Sequence, residues 1–178
     1  MRAGVVLIGV GLALLVVVAV SLVDGSSRPA RNARAGTPPV AGTGPLRLPA
    51  VTLSITTAGA TKRSVCTLEA STTAEQERGL MGQRSLQGYA GMAFVFSAPS
   101  TVQFYMKDTL IPLTVAWFDP AGRYIGSATM PVCPPGTMCP TYAADRPYTL
   151  AVEVPAGGLG ALGIGPGSTA SVGGPCSA

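Results

Sequence analysis

The sequence predicts a mostly β domain of the α+β class, with one or two short helices, that follows an apolar N-terminal helix. Short runs that alternate apolar and polar residues recur between turn signals from residue 51 to residue 154, as is typical of half-buried strands. Ahead of them, residues 4–23 form an uncharged apolar run, GVVLIGVGLALLVVVAVSLV. That run has about the length of a helix that spans a bilayer.

Residues 1–23 are expected to be a signal anchor or a signal peptide. An uncleaved anchor is favoured, because the apolar part of a cleaved signal is usually only about 7–15 residues long. The alternative stays open, since Ala19-Val20-Ser21 fits a cleavage site of small residues. An anchor would hold the protein in the membrane through residues 4–23, whereas cleavage would release it as a secreted protein.

Two signals conflict on the side of the cell membrane where the rest of the chain lies. Arg2 precedes the apolar run, and Arg28, Arg31 and Arg34 follow it, so the positive-inside rule would keep the C-terminal part in the cytoplasm. Four cysteines in a small domain instead favour an oxidising compartment. We expect the extracytoplasmic side.

A linker and a single domain follow the leader. Residues 24–50 contain five prolines and four glycines, and such a segment is expected to be a flexible spacer because it buries too little apolar surface to offset the entropy of ordering. Residues 51–178 are long enough for one domain with a core of its own. Strands are expected over 51–57, 64–70, 92–96, 102–106, 113–119, 123–130 and 148–154.

Two short helices are expected between the strands. Thr72 and Thr73 each stand three residues before a Glu or Gln, so either one can form a capping box at the start of a helix within residues 73–82. Pro155 opens a second helical turn that ends near Leu162, although its glycines weaken the helical tendency.

Charge and composition exclude several classes of function. The net charge of +4 comes from residues 1–50, whereas residues 51–178 carry seven basic and seven acidic residues. A nucleic-acid-binding domain is expected to gather Lys and Arg on one face, so no nucleic-acid partner is expected. The chain has no histidine, which removes Ser-His-Asp and Cys-His catalytic pairs and all histidine metal sites.

The four cysteines permit three disulfide connectivities. Cys133 and Cys139 enclose a Pro-Pro-Gly turn, so a short bridge between them is favoured. Cys66 would then pair with Cys176 around almost the whole domain. Thiol–disulfide exchange or Cu(I) binding at Cys133 and Cys139 are alternatives, and structural disulfides are favoured over both. The methionines that would join a Cu(I) site are Met106, Met130 and Met138.

Lys107 is the only lysine after Lys62 and stands in an apolar run. A half-buried lysine could anchor an anionic ligand or form a local ion pair with an acid. From its surroundings in the sequence alone, the local ion pair is favoured.

Motifs throughout the domain carry a resemblance to a known family. They are Arg78-Gly-Leu-Met81, Gly91-Met-Ala-Phe-Val-Phe96, Phe104-Tyr-Met-Lys-Asp-Thr-Leu-Ile-Pro-Leu113, Ala116-Trp-Phe-Asp119, Cys139-Pro-Thr-Tyr142 and Leu150-x-x-Glu153. In this order they resemble the domain of unknown function 192 (DUF192) family, also called the uncharacterised UPF0127 group. The resemblance covers about residues 65–172.

The resemblance implies a compact, barrel-like antiparallel sheet with one or two short helices. It also strengthens the extracytoplasmic placement, because family members typically carry a leader, but it supplies no established activity. The family's recurring polar positions map onto Arg78, Lys107 and Thr109, which are the candidate ligand-binding residues. Two positions depart from the family: Thr114 stands where aspartate is common, and Asp108 where asparagine is frequent. Any ligand or catalytic role of that aspartate would be lost here.

We therefore expect a non-catalytic extracytoplasmic domain, tethered to the membrane or secreted, that binds a small ligand or an envelope partner. Lys107 and Arg78 would contact an anion. Neither a catalytic residue nor a cofactor or metal is expected. The alternatives are a thiol–disulfide or Cu(I)-handling envelope protein that uses Cys133 and Cys139, and a purely structural part of an envelope assembly.

Overall fold

A computed structural model describes residues 47–178, so the expected leader over 1–23 and nearly all of the linker over 24–50 lie outside the described residues. Of the helices between residues 47 and 178, none has the length and apolarity that a membrane span needs. The elements are β1 (Ala50–Thr56), β2 (Lys62–Ala70), α1 (Thr73–Arg78), β3 (Met92–Ser100), β4 (Phe104–Tyr105), β5 (Leu113–Phe118), β6 (Tyr124–Met130), β7 (Thr141–Tyr142), β8 (Tyr148–Pro155), α2 (Leu159–Leu162) and β9 (Thr169–Pro175).

Seven of the strands form one mixed sheet in the order β6-β5-β8-β3-β2-β1-β9, and β4 pairs with β7 separately. The expected antiparallel sheet is corrected by the pairing of β2 with β3, which is parallel. The physical reason is the connection over residues 71–91, which contains α1. A connection of that length can carry the chain back to the starting end of its neighbour, which a tight hairpin cannot do.

The expected barrel-like closure is also wrong. The edge strands β6 and β9 do not share a ladder; they meet only through an isolated bridge between Arg123 and Thr169 in the part of the chain that the structure describes. Two backbone hydrogen bonds flank that bridge, from Tyr124 N to Ser168 O at 3.0 Å and from Ala170 N to Gly122 O at 2.8 Å. Contact is thus confined to the β5–β6 turn, and the sheet stays open.

The sheet has a core on each face. One cluster includes Leu68, Met92, Val115 and Trp117, and we call this side the Trp117 face. Leu80, Leu86, Phe104 and Met106, from segments outside the large sheet, belong to the same cluster. The opposite side, the Phe118 face, buries Leu53, Ile55, Phe118, Val152 and Val154 against Leu159 and Ile164 around α2. Strand β5 is buried at every position because both faces are covered.

A capping box formed by Thr72 and Glu75 begins α1, which selects one of the two caps that the sequence allowed. The Thr72 hydroxyl accepts a hydrogen bond from Glu75 N at 3.3 Å, and the Glu75 carboxylate accepts from Thr72 N at 2.9 Å and from Ser71 N at 3.0 Å. The hydrogen bonds that the carboxylate accepts, first that from Thr72 N and then that from Ser71 N, hold the pKa of Glu75 below its ordinary value. Thr72 is therefore the N-cap, and Thr73 is the first residue of the helix.

Thr72→Ala is expected to lower the free energy of unfolding by about 1 kcal/mol, the usual cost of losing an N-cap hydroxyl. The measurement is urea unfolding followed by circular dichroism. Thr73→Ala is the matched control, since Thr73 lies one residue inside the helix, and it should change stability by less than about 0.5 kcal/mol. Equal losses for the two variants would contradict the assignment of the cap.

Candidate functional site

Two short strands bring the turn after β4 beside the disulfide loop before β7. Phe104 pairs with Tyr142 and Tyr105 with Thr141 in antiparallel register. Because the strands run in opposite directions, the residues that follow Tyr105 lie next to those that precede Thr141. A disulfide between Cys133 and Cys139, with Cα atoms 5.6 Å apart, closes the loop.

A groove of about 500 Å³ lies between these two segments, a volume within the usual range for small-molecule sites. We call this cavity, between residues 105–110 and 132–141, the groove. Its sides include the partly exposed apolar residues Tyr105, Leu110 and Val132. Lys107 and Thr109 also line it, so apolar walls and a few polar groups occur together.

A smaller cavity of about 40 Å³ shares Tyr105 and Thr109 with the groove, and we call it the cleft. Its remaining walls come from residues 76–81, Phe94, Phe104 and Glu153. A hydrogen bond of 2.7 Å from Gly82 N to Asp108 O ties the segment after α1 to the turn after β4. The cleft therefore opens over the Trp117 face, between two tethered segments.

Gly79 allows the chain to enter the cleft wall directly after α1. Its φ is +46°, in the region that favours glycine, and a Cβ there would lie 3.3 Å from the Phe94 ring. A larger residue at position 79 would strain the backbone and crowd the Phe94 ring, so its substitution for glycine is expected to lower stability. This turn brings Leu80 and Met81 back over the sheet.

The structure distributes the three expected ligand-binding residues over the two cavities. Thr109 is buried and lines both, Lys107 lines the groove, and Arg78 lines the cleft. Lys107 and Arg78 are exposed and share no cavity. The local ion pair favoured for Lys107 does not form: among residues 47–178, the one ion pair joins Arg123 to Asp119 at 2.9 Å.

Glu153 is a polar residue of the cleft to which the sequence assigned no function. It pairs with Met92 on β3 and Val115 on β5, which places it on the Trp117 face, and it is only 4% exposed. Desolvation by burial raises its pKa to about 8. An acid within the otherwise apolar strand YTLAVEV was the available signal, because a charge is rarely buried without a partner or a function.

The turn that carries Lys107 and Thr109 explains the departure at Asp108. Asp108 has a φ of +54°, a left-handed conformation that Asn and Asp tolerate better than other side chains that carry a Cβ. Thr109 N donates to Met106 O at 3.2 Å, and the Thr109 hydroxyl donates to Lys107 O at 3.3 Å. Aspartate therefore suits this backbone as asparagine would.

Thr114, the other departure from the family, lies away from both cavities. It pairs with Val154, whose side chain belongs to the Phe118 face. Its hydroxyl accepts a hydrogen bond from Gly157 N at 3.2 Å and thus supports the loop before α2. The side chain at position 114 contacts that loop and lines neither cavity. Replacement of the family's aspartate by threonine therefore takes no functional group away from the groove or the cleft.

All four cysteines are paired in the structure. Cys66 is bonded to Cys176 with Cα atoms 5.8 Å apart, and Cys133 to Cys139. A Cu(I) site of thiolates and methionines does not assemble around them, since Met130 is buried and Met138 is 97% exposed. Within residues 47–178, no group of Cys, Asp or Glu side chains gathers as a metal site would require.

Comparisons with known proteins agree with this fold. A sequence model of the DUF192 family (uncharacterised ACR) matches residues 54–172. The structure is similar to that of a putative transcription regulator from Sinorhizobium meliloti 1021, with 22% identity, a TM-score of 0.62 and coverage of 72% of this chain and 98% of that chain. It is likewise similar to a protein of unknown function from Novosphingobium aromaticivorans DSM 12444, with 27% identity, a TM-score of 0.62 and coverage of 72% and 89%. No curated protein matches the sequence.

Proposed function

Because this chain belongs to the DUF192 family, whose description assigns no activity, we propose its function from its own cavities. Residues 51–178 form a non-catalytic domain that binds a small anionic ligand in the groove, with Lys107 as the charged contact. The observation that carries this proposal is a groove of about 500 Å³ lined by Lys107, which has no ion-pair partner among the described residues.

The lining of the groove supports a ligand with an apolar body and an anionic group. Tyr105, Leu110 and Val132 are about 40% exposed, and such side chains are the usual contacts of the apolar part of a small ligand. An unpaired ammonium beside them attracts an anion and can donate a charge-assisted hydrogen bond. Thr109 connects the groove to the cleft that Arg78 also lines.

We also propose that the domain works outside the cytoplasm. The two disulfides support an oxidising compartment, where such bonds persist. Residues 4–23 would tether the domain to the membrane, or release it as a secreted protein after cleavage, and residues 24–50 would act as the spacer. The ligand would then be a small molecule of the envelope or its surroundings.

Ligand binding is favoured over transcription regulation by the charge of the domain and over thiol–disulfide exchange by the placement of its cysteines. The Sinorhizobium meliloti protein is described as a putative transcription regulator. We do not extend that description to this chain, because its residues 51–178 carry equal numbers of basic and acidic residues, and DNA binding needs a basic surface. Thiol–disulfide exchange is not favoured either, since Cys133 and Cys139 lie 6 residues apart in a loop, whereas a redox-active pair is typically C-x-x-C at a helix N-terminus.

Lys107→Ala is expected to weaken binding of an anionic probe about 10-fold, which is the order of a charge-assisted hydrogen bond to an exposed group. The probe is 8-anilinonaphthalene-1-sulfonate, which combines an apolar ring system with a sulfonate, and the dissociation constant is measured by fluorescence titration. Lys62→Ala is the matched control, because Lys62 is an exposed lysine on β2 that lines neither cavity. If both lysine variants bound the probe as tightly as the wild type, the groove would not be the anion site.

A further inference from the structure

We propose that the cleft is a proton-linked subsite for a carboxylate, in which the neutral Glu153 carboxyl donates a hydrogen bond to an oxygen of the ligand. The inference rests on the proposed function, since the cleft continues the groove through Tyr105 and Thr109. It deepens that function by naming the chemical group that the ligand carries at this end.

The first support is that Glu153 is buried and lines the cleft without a partner. Its side chain is 4% exposed and forms part of the cleft wall, and burial alone accounts for the shift in its pKa to about 8. No residue from 47 to 178 forms an ion pair with it. A buried polar group in this position gains from any ligand atom that satisfies it.

The second support is the state in which this carboxyl meets a ligand. With a pKa of about 8, most of the population is neutral at pH 7, so the group carries an O–H donor. A neutral acid that faces a carboxylate forms a short charge-assisted hydrogen bond. Glu153 keeps its proton when the carboxylate binds, so the complex carries one negative charge, which is that of the ligand.

The burial of Glu153 favours an anion over a cation. Glu77 and Arg78 from the end of α1 and Tyr105 from β4 line the same cleft, whereas the strand neighbours Met92 and Val115 are apolar. Arg78 and Glu77 are both exposed and carry opposite charges, and burial alone raises the pKa of Glu153, so neither residue decides the charge that this carboxyl meets. A cationic ligand would have to ionise Glu153 in its buried position, which is costly.

The size of the cleft limits what enters it. A volume of about 40 Å³ suits one planar group of three heavy atoms, with the body of the ligand left in the groove. Phe94 and Phe104 line the sides of the cleft, and Arg78, Tyr105 and Thr109 add polar groups to its wall. A tetrahedral phosphate of five heavy atoms is bulkier than a planar carboxylate, so the carboxylate is the better match to this small volume.

The test follows the Glu153 carboxyl by carbon-13 NMR during pH titrations with two matched probes, acetate and methylammonium. Acetate is expected to raise the apparent pKa of Glu153, and its affinity should fall up to tenfold per pH unit above about pH 8, because the donor is lost there. Methylammonium should leave the titration unchanged. A lower pKa in methylammonium, or no effect of acetate, would overturn the proposal.

Two substitutions at position 153 test whether acetate binding needs a hydrogen-bond donor there. Glu153→Gln keeps an N–H donor, so it should bind acetate within about 3-fold of the wild type at pH 7 and lose the pH dependence. Glu153→Leu, checked for its fold by proton NMR, should bind at least about 10-fold more weakly. Equal losses of acetate affinity in Glu153→Gln and Glu153→Leu would contradict a neutral donor at this position.

If acetate had no effect on Glu153 but the sulfonate probe still needed Lys107, the carboxylate subsite in the cleft would be rejected and the groove proposal would stand. If acetate acted on Glu153 but the sulfonate probe did not need Lys107, the groove proposal would be rejected.

Discussion

Glu153→Gln is expected to stabilise the protein by about 3 kcal/mol at pH 7 and by about 5 kcal/mol at pH 9. The folded-state pKa of Glu153 is about 8, against an ordinary value of 4.5, because the group is desolvated. The folded state therefore holds its proton more tightly than the unfolded state. Its contribution to stability is complete below pH 4.5 and is progressively lost as the pH rises to about 8. Glutamine does not ionise in this pH range, so the Glu153→Gln variant does not lose stability at this position as the pH rises.

The measurement is urea unfolding at pH 5, 7 and 9. The difference between Glu153→Gln and the wild type should grow with pH, which a general effect of the amide on packing would not produce. Glu77→Gln is the matched control, because Glu77 lines the same cleft but is exposed. The difference in stability between Glu77→Gln and the wild type should stay nearly constant over these pH values, because both proteins retain Glu153. A constant difference for Glu153→Gln would contradict a buried neutral carboxyl.

A price in stability is consistent with a function for Glu153. The strand partners of this residue are Met92 and Val115, and a Leu or Val at position 153 would extend the apolar core without any cost at neutral pH. An acid in such a place costs stability, and sites that bind ligands commonly contain groups of this kind. The stability experiment thus tests the protonation state, and the acetate titration tests its use.

The fold was predictable where local patterns carry it. The capping box at Thr72, the alternating run of β1 and the nearly continuous apolar run of β8 depend on neighbours in sequence. Strand β9 was missed because Gly173, Gly174 and Pro175 are poor strand formers. The strand is held here by its pairing with β1 on both sides of a register shift at the two glycines. The parallel β2–β3 pair depends on where a connection of about 20 residues crosses the sheet, and periodicity does not report that.

The candidate site was predictable only in part. Arg78, Lys107 and Thr109 came from the resemblance to the family, but their separation into two cavities depends on the pairing of β4 with β7, each only two residues long. Strands this short have no detectable period. Glu153 was visible as an acid in an apolar strand, yet its burial followed only from the covering of the Trp117 face by Leu80, Phe104 and Met106.

The two disulfides differ in what they hold. Cys133 and Cys139 lie 6 residues apart and line the groove, so their bond shapes a wall of the candidate site. Cys66 and Cys176 lie 110 residues apart and line neither the groove nor the cleft. We therefore expect the long bond to matter chiefly for the stability of the whole domain.

Removal of the long disulfide by Cys66→Ala with Cys176→Ala is expected to lower the free energy of unfolding by about 5 kcal/mol, from the loop-closure entropy of an unfolded chain cross-linked over that length. The bond ties β2 to the residue after β9, on either side of β1, to which both strands are paired. Without it, the C-terminal strand is held by β1 and by local contacts such as the hydrogen bond of 3.1 Å from Cys176 N to Ala50 O.

The matched control is Cys133→Ala with Cys139→Ala, which opens a loop closed over 6 residues and should cost about 2 kcal/mol by the same model. Both double variants are compared with the wild type by urea unfolding under non-reducing conditions. A domain of this size is usually stable by about 5–15 kcal/mol, so the long-bond variant should lose between about a third and all of its stability, and the short-bond variant less than about half. Equal losses would show that chain entropy does not govern the difference, and that strain or packing at the cysteines does.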